Sequence, residues 1–519
     1  MSGALLKWTS KQYDLLVGKT CADNHMRLNL GARQSDLARL QGYLVGEALT
    51  SLGHEVNYTF RESLGDKNLT DPLWKMPEKG VFTQDFYEDL MSGKFDFIVH
   101  SWKDLPVEPT AGTEIVATLP RADQRDLVLF KKSSLNKKQV RIFSSSPRRE
   151  YNLIPFLAKN LPWPTDKIEF ANVRGNIPTR MQKLMDDESI DGLVLAKAAL
   201  DRLLAHPYPE FKPVQEKIRA HLAHCKWMVP PLSENPNAAA QGALAIEIKS
   251  DRKDLKEIFA KIHCQDTADS VNYERKVFSG YGGGCHQKIG VTVLKRHYGD
   301  ILIVKGLSPK GEVLNTHQLQ SSKKPATDLV KHTFNFSITR ENKTADISLA
   351  KTDVVWVARS EAAGSVDLNS YGGVVWAAGT STWQKLAAKG VWVNGCAEGL
   401  GEGENPRIDQ LIGKANPEQV TLTHTLASNA GTYDLQIQLA DGEISKLKSD
   451  VLALRKYFFY WKSHSQFQAV LTQLNDSQKT HFLNCAHACG PGKTWQSIRD
   501  VLPSEENLYI YLNEENWKS

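Results

Sequence analysis

The stretch Phe95–Pro106, FDFIVHSWKDLP, decides the architecture. Its first six residues, Phe95–His100, form a short apolar run of strand length, which reads as a strand buried in the middle of a sheet. The chain then changes character at once, because Ser101-Trp102-Lys103-Asp104-Leu105-Pro106 sets a hydroxyl, a cation and a carboxylate where that strand ends. Open α/β sheets build their sites at such strand ends.

Working outward, Arg27–Ala32 reads as a strand, Gln34–Leu52 as a helix, Glu55–Phe60 as a strand and Phe82–Ser92 as a helix. Beyond Asp126 a second series follows: strands Leu127–Lys131 and Gln139–Phe143, a helix from Pro147, strand Ile168–Asn172, helix Ile177–Asp186 and strand Gly192–Leu195. Repeated βα units predict mostly parallel sheets covered by helices. Ala243–Ile248 is a further strand that returns the chain to the first sheet. A helical stretch through Phe278 and strands Ile289–Lys295 and Asp300–Gly306 make a small α+β unit. In the last third, Val354–Ser360 followed by Ala377-Ala378-Gly379 and Thr382-Trp383-Gln384 is echoed by Phe458–Ser463, Ala488-Cys489-Gly490 and Thr494-Trp495-Gln496, which predicts two related α/β lobes.

At 519 residues the chain is too long for one hydrophobic core. Its 64 Lys and Arg against 59 Asp and Glu give a net charge of only +5, with no block of like charge, so no nucleic-acid partner is expected. No apolar stretch approaches the roughly 18 residues of a membrane span, and Lys7, Lys11 and Asp14 interrupt any signal-peptide core, so a cytoplasmic protein without membrane contact is expected. Seven cysteines are too sparse for a disulfide framework. Cys485 and Cys489, four apart, would share one helical face, but no second pair with zinc-like spacing accompanies them, so no metal is expected.

Six segments place charged or hydroxyl residues where a strand gives way to a loop or helix: Gly31–Ser35, Lys79–Phe82, His100–Pro106, Ser144–Arg149, Arg174–Arg180 and Gly282–Cys285. Arginine dominates them, and its planar fork binds carboxylates bidentately, so the ligand is a polycarboxylate or a phosphate. Ser144, Ser145 and Ser146, at a helix N-terminus, add hydroxyls and backbone N–H groups suited to an anion. Asp104 reads either as an exposed turn residue or as an acid, base or electrostatic stabiliser. Cys285 reads either as an inert small hydrophobe or as a covalent carrier, three glycines giving the backbone room beside a bulky group.

Taken in this order, the six segments resemble the hydroxymethylbilane synthase (porphobilinogen deaminase) family over roughly residues 27–320, and Arg121–Asp126, Asp191–Leu203, Gln241–Glu247 and Tyr273–Phe278 add to the likeness. The resemblance implies two periplasmic-binding-protein-like domains, at 27–122 with 226–250 and at 123–225, after an N-terminal extension 1–26. A small α+β cofactor-attachment domain at 251–327 would follow. It implies a dipyrromethane cofactor held covalently by Cys285, and Asp104 as the catalytic carboxylate. Lys103, Ser144, Ser145, Ser146, Arg148, Arg149 and Arg180 would bind the cofactor, and Arg33, Ser35, Arg174 and Arg202 the substrate. Lys79 and Phe82 would end a lid. The partners would be porphobilinogen and the growing linear pyrrole chain, handled by a monomer. The sequence departs from the family at Trp102, Ser144, Pro147, Ala239-Ala240 and His286-Gln287-Lys288, none of which removes a charge given a role.

Residues 328–519 resemble a diverged or truncated uroporphyrinogen-III synthase, a two-lobed α/β region that would cyclise the product in a bifunctional enzyme. The segment before Thr352 is too short for a complete first half, which makes an inactive, structural region the alternative. For the main body the rival of another class is a non-catalytic anion-binding module, which needs neither Asp104 nor a reactive thiol. Gly490–Thr494, GPGKT, lacks the first glycine of a phosphate loop, whose place is taken by His487.

Overall fold

A computed structural model describes residues 25–62, 84–284, 286–343, 347–364, 366–427, 431–452 and 456–519. The first ten strands are β1 (Arg27–Arg33), β2 (Glu55–Arg61), β3 (Phe97–Ser101), β4 (Thr113–Ala117), β5 (Asp126–Lys131), β6 (Gln139–Phe143), β7 (Lys167–Ala171), β8 (Gly192–Ala196), β9 (Cys225–Met228) and β10 (Leu244–Lys249). They form two five-stranded sheets, ordered β2-β1-β3-β10-β4 and β7-β6-β8-β5-β9. The two orders are the same pattern. In each, three parallel strands are followed by one antiparallel strand, β10 or β5, that the chain contributes directly after crossing from the other sheet. The chain therefore crosses between the sheets twice, at 118–125 and 229–243, which is the two-lobed, two-hinge plan of periplasmic binding proteins.

The expected strand at 243–248 joins the first sheet as β10. The expected boundary at 225/226 is corrected, because β9 pairs with β5 through Met228 and the chain leaves the second sheet only after it. The two crossings run side by side: Ala122 donates its amide to Gly242 O at 3.2 Å and Gln241 Nε2 donates to Gln124 O at 2.8 Å.

Three antiparallel strands follow, β11 (Lys288–Arg296), β12 (Gly299–Leu307) and β13 (Val313–Gln320). The helix Gln265–Ser279 covers them by packing Tyr273, Val277 and Phe278 on Ile289, Val291 and Val304.

The C-terminal third carries β14 (Val330–His332), β15 (Phe336–Asn342), β16 (Val354–Val357), β17 (Val374–Ala377), β18 (Gly395–Cys396), β19 (Gln419–Leu422), β20 (Tyr433–Leu439), β21 (Tyr457–Trp461), β22 (Ala486–Cys489) and β23 (Leu508–Ile510). Two all-parallel sheets result, β18-β17-β16-β19 and β14-β21-β22-β23, joined by the antiparallel pair β15-β20. The sequence echo is realised in them, since β16 and β21 hold the same place, as do the helices with Trp383 and Trp495. The short segment before Thr352 is not a partial first lobe. It supplies β14 to the second lobe and β15 to the connection, so the chain enters the second lobe first. The helical face expected for Cys485 and Cys489 is also corrected: Cys489 ends strand β22 and Cys485 lies just before it, both buried.

The first C-terminal lobe shares both of its cores with the second binding-protein-like sheet. Because side chains alternate along a strand, Val128 and Phe130 of β5 belong to the same core as Val355 and Val357 of β16, and Leu127 and Leu129 to the same core as Val354 and Trp356. Polar contacts pin the seam: Trp392 Nε1 and Asn394 Nδ2 donate to Trp227 O at 3.0 and 2.9 Å, and Trp383 Nε1 donates to Asn160 O at 3.3 Å.

Candidate active site

The two sheets aim their strand ends at one cleft, and each expected charge can be followed to it. From the first lobe, β1 ends in Arg33, which is half-buried, and Ser35 caps the helix Asp36–Ser51 by accepting the Ala38 amide. Strand β3 ends in a single tight turn, Trp102–Asp104. Trp102 anchors that turn, buried against Ala240, Ala243, Ala245 and Val271 and donating its amide to Ala243 O at 3.0 Å. This leaves Asp104 exposed at the cleft, while Lys103 lies half-buried beside it and donates to Gln241 Oε1 at 3.3 Å.

From the second lobe, β6 runs into Ser144-Ser145-Ser146. Ser144 is buried, and Ser145 Oγ is bound to the backbone of Val173, donating to its carbonyl at 2.7 Å and accepting its amide at 2.9 Å. Ser146 caps the helix Pro147–Asn160 by accepting the Arg149 amide. Arg174 follows β7, and Arg180 sits in the first turn of the helix Ile177–Asp186, donating Nε to Gly175 O at 2.7 Å. Arg202 turns instead toward the crossing, donating to Gly242 O at 2.7 Å.

Arg148 and Arg149 are tied together from below by Asp126, which is only 1% exposed. Arg149 Nη2 donates to Asp126 Oδ1 at 2.7 Å and Arg148 Nη2 to Oδ2 at 2.9 Å. Asn235 and Gln241 add bonds to the same carboxylate at 2.8 and 2.9 Å. Burial would raise the Asp126 carboxyl, but the two guanidinium groups outweigh it and hold it well below the usual carboxylate range. Arg148 also donates to Asn235 Oδ1 and Pro236 O, so its bonds go into the protein. Arg149 Nε is buried without a partner among the described residues, a donor left over for a ligand oxygen.

Electrostatics link the two sides of the cleft. Burial pushes the Lys103 ammonium down to about 8, with Arg149 and Arg148 pushing the same way and Asp104 and Asp126 opposing. Burial likewise pushes Arg180 down to about 10, helped by Arg149 and Arg174 and opposed by Asp104. One exposed carboxylate thus stands among cations drawn from both lobes. Cys285, Lys79 and Phe82 lie outside the described residues, but the approach to Cys285 does not: Gly282, Gly283 and Gly284 have φ of +94°, +63° and +96°. Three successive left-handed residues are open only to glycine at low cost.

Sequence reasoning missed Asp126 and Gln241 as site residues. Both stand in stretches already conspicuous, Arg121–Asp126 and Gln241–Glu247, but the bonds that give them a role join distant residues, Asp126 to Arg148 and Arg149, 22 and 23 positions on, and Gln241 to Lys103, 138 positions back.

Fold and site together define an enzyme of the two-lobed binding-protein plan, whose cleft takes a polyanion beside one isolated carboxylate. The family model described as porphobilinogen deaminase, dipyromethane cofactor binding domain, matches residues 28–257. The porphobilinogen deaminase of Caldicellulosiruptor saccharolyticus is 36% identical over 270 residues, covering 51% of this chain and 83% of its own. That of Syntrophomonas wolfei is 32% identical over 284 residues, 54% and 84%, and the probable porphobilinogen deaminase of Picrophilus torridus 33% over 272 residues, 52% and 86%. The chain belongs to the porphobilinogen deaminase family.

Proposed function

We propose that the chain joins four porphobilinogen molecules head to tail, with loss of ammonia, on a dipyrromethane primer and releases hydroxymethylbilane by hydrolysis. The observation that carries this reading, beside family membership, is Asp104 standing exposed among Lys103, Arg149, Arg174 and Arg180 from facing lobes. A site that only bound carboxylates would gain nothing from a carboxylate of its own.

The residues present fit the cofactor. Its acetate and propionate groups need several donors on one wall, and Lys103, the Ser144–Ser146 cap, Arg149 with its spare Nε, and Arg180 supply them. Arg148 acts one step removed, by sharing Asp126 with Arg149. When bound, the dipyrromethane would supply the pyrrole carbon that takes the first new unit, each later unit adding to the ring before it. Arg33, Ser35 and Arg174 hold the incoming porphobilinogen by its carboxylates, whereas Arg202, expected with them, is bound to Gly242 O at the crossing. Loss of ammonia leaves positive charge on the substrate's pyrrole, and Asp104, pre-set at the cleft, stabilises that charge. Holding both partners turns a bimolecular condensation into an effectively intramolecular step.

We take a monomer as the working unit. Among the described residues no helix is long and apolar enough to cross a membrane, and we place the enzyme in the cytoplasm. Its units are 27–117 with 244–250, 126–228, and 251–327.

For residues 328–519 we infer a brace rather than a cyclase. The support is the pair of cores shared between β5 and β16, together with the closed seam between the two C-terminal lobes. There a Cβ on Gly401 would lie 2.7 Å from Gly492 Cα, so backbone meets backbone where a cyclising cleft should open.

Intact mass spectrometry of the purified, active chain tests the main reading. The expected result is one dipyrromethane on Cys285, lost in Cys285→Ala. An unmodified Cys285 in protein that turns over porphobilinogen would overturn the thioether assignment.

A further inference from the structure

Glu274 and Arg275 are neighbours on the helix Gln265–Ser279, and they grip different parts of the catalytic body. Glu274, wholly buried, takes both guanidinium nitrogens of Arg121 at 2.8 Å and the Ala240 amide at 2.9 Å, so it holds the two interlobe crossings. Arg275 points to the loop that follows β3. Its Nη1 donates to Trp102 O at 3.5 Å and Leu105 O at 3.3 Å, and its Nη2 donates to Pro106 O. Those three carbonyls bracket Lys103 and Asp104.

This use of an arginine is uncommon. No carboxylate is paired with Arg275 in the structure described, and burial alone shifts its guanidinium, downward. A partly buried cation with only carbonyl partners costs more than a neutral donor would. Its rigid fork, however, can fix several carbonyls at once, which a single-donor side chain cannot do.

The C-terminal end of the same helix, four residues beyond Arg275, runs through Gly280 and Tyr281 into Gly282-Gly283-Gly284, the approach to Cys285. This approach also packs on the β3 loop, because a Cβ on Gly283 would meet Val107 Cγ2 at 3.3 Å. One rigid helix is thus fastened to the carboxylate's loop at Arg275 and continues, ten residues later, into the cysteine's loop.

We propose that Arg275 is a positioning residue that sets the distance and orientation of Asp104 relative to the group carried on Cys285. Resting on the deaminase reading, the inference gives the small α+β unit a task beyond attachment: it holds the stabilising carboxylate in register with the primer.

Steady-state kinetics of Arg275→Gln and Arg275→Lys test it, with intact mass and amide hydrogen exchange as independent readouts. For Arg275→Gln, kcat should fall about 10- to 100-fold, the scale of a small misplacement at a reacting centre. KM should stay within about twofold, because Arg33, Ser35 and Arg174, which hold the substrate's carboxylates, lie outside the loop that Arg275 fixes. Cys285 should still carry its full pyrrole load by mass, and exchange should rise in 102–107 while the β11–β13 sheet keeps its protection. Arg275→Lys, which keeps the charge but loses the fork, should recover only part of the rate.

Unchanged kcat in Arg275→Gln would overturn the proposal, as would a rise in KM with kcat intact, which would mark a binding role. Exchange rising equally across the helix and β11–β13 would mark a merely structural role and overturn it as well; should the Gln variant not fold, the same criteria apply to Arg275→Lys. An unmodified or inactive wild-type chain would instead defeat the deaminase reading itself.

Discussion

The cleft between the two binding-protein-like lobes and the seam between the two C-terminal lobes both lie at the carboxyl ends of parallel strands, yet they are filled in opposite ways. At the first, β3 and β6 end in Asp104, Lys103 and Ser144–Ser146, and the helices beyond bring Arg149 and Arg180. At the second, the loops after β18 and β22 meet through Gly401 and Gly492, which have φ of +114° and +95° and let two backbones touch. Leu400 and Leu512, from either side, then pack on Leu232, Ile301 and Ile303 of the catalytic body. Location in a fold makes a site available; side chains decide whether one exists.

The largest effect should come from removing the charge beneath the cleft. Asp126→Asn leaves Arg148 and Arg149 buried without their shared anion, a change worth about 3–5 kcal/mol when one partner of a buried pair is lost. Denaturant unfolding should show that loss together with failure of cofactor loading by mass. A stable, fully loaded Asp126→Asn would mean that the arginines do not depend on it.

Asp104→Asn should separate chemistry from structure. Exposed and without a buried partner to strand, it should cost turnover about 10²- to 10³-fold, the range for one electrostatic stabiliser, with no change in melting temperature. Near-wild-type kcat would reduce the cleft to an anion-binding module.

A third experiment addresses the C-terminal lobes through His487, which is wholly buried in β22. Its Nδ1 accepts from Trp461 Nε1 at 3.0 Å and its Nε2 donates to Phe482 O at 2.9 Å, so the ring is held neutral. Burial pushes its pKa down to about 4. The unfolded chain, with an ordinary pKa of about 6.5, binds the proton more readily. The stability from the neutral ring is therefore complete above about pH 6.5 and lost as pH falls toward 4, in total about 3 kcal/mol. Unfolding curves at pH 7 and 4.5 should show this difference in the wild type and lose it in His487→Asn. Equal acid sensitivity in both would exclude His487 as its source.

Lys103 gives a smaller, kinetic signal in the other region. An ammonium held down to about 8 is charged below that pH and neutral above it. The rate of primer loading on Cys285 should then fall by up to about tenfold per pH unit above 8, following the titration. The break should vanish in Lys103→Arg, and a flat profile in the wild type would show that Lys103 does not bind carboxylate.

The sequence shows regular strands, the edges β2 and β7 included, far better than short or mixed ones. β1, β3, β5, β6 and β8 are apolar runs and are legible within a residue or two, whereas β4, β9 and β13 escape notice. Each of these lies at the margin of its sheet, where short or mixed runs such as Cys225–Met228 suffice. The charges at strand ends are equally legible, since a loop residue needs no partner to be seen. What they bind is not: Asp126 under the arginines, Gln241 under Lys103 and Arg275 under the Asp104 loop all act across the chain. The shared cores are hidden for the same reason, because Val354–Val357 reads as a buried strand whether its core ends within its own lobe or runs on into the next.

The last prediction is for an effect of zero. Thr380 opens the helix after β17 and, with His317, Glu398 and Lys305, lines a cavity of about 390 Å³ between the first C-terminal lobe and the β11–β13 sheet. If that lobe cyclised the product, a hydroxyl at a strand end beside a cavity would be a natural contact for it, and Thr380→Val would alter the isomer formed. The lining argues otherwise. A linear tetrapyrrole carries eight carboxylates and needs free cations, yet the one lysine here is already paired with Glu234 at 2.5 Å, and Glu398 adds a second negative charge. Ring inversion also demands an open cleft to hold a flexible chain in one folded shape, which the Gly401–Gly492 contact denies. The intact chain supplied with porphobilinogen should therefore give the I isomer of uroporphyrinogen by spontaneous closure, and Thr380→Val should give the same ratio. Predominant III isomer from the wild type, falling in the variant, would show that the seam opens and that the two regions differ less than their closed form indicates.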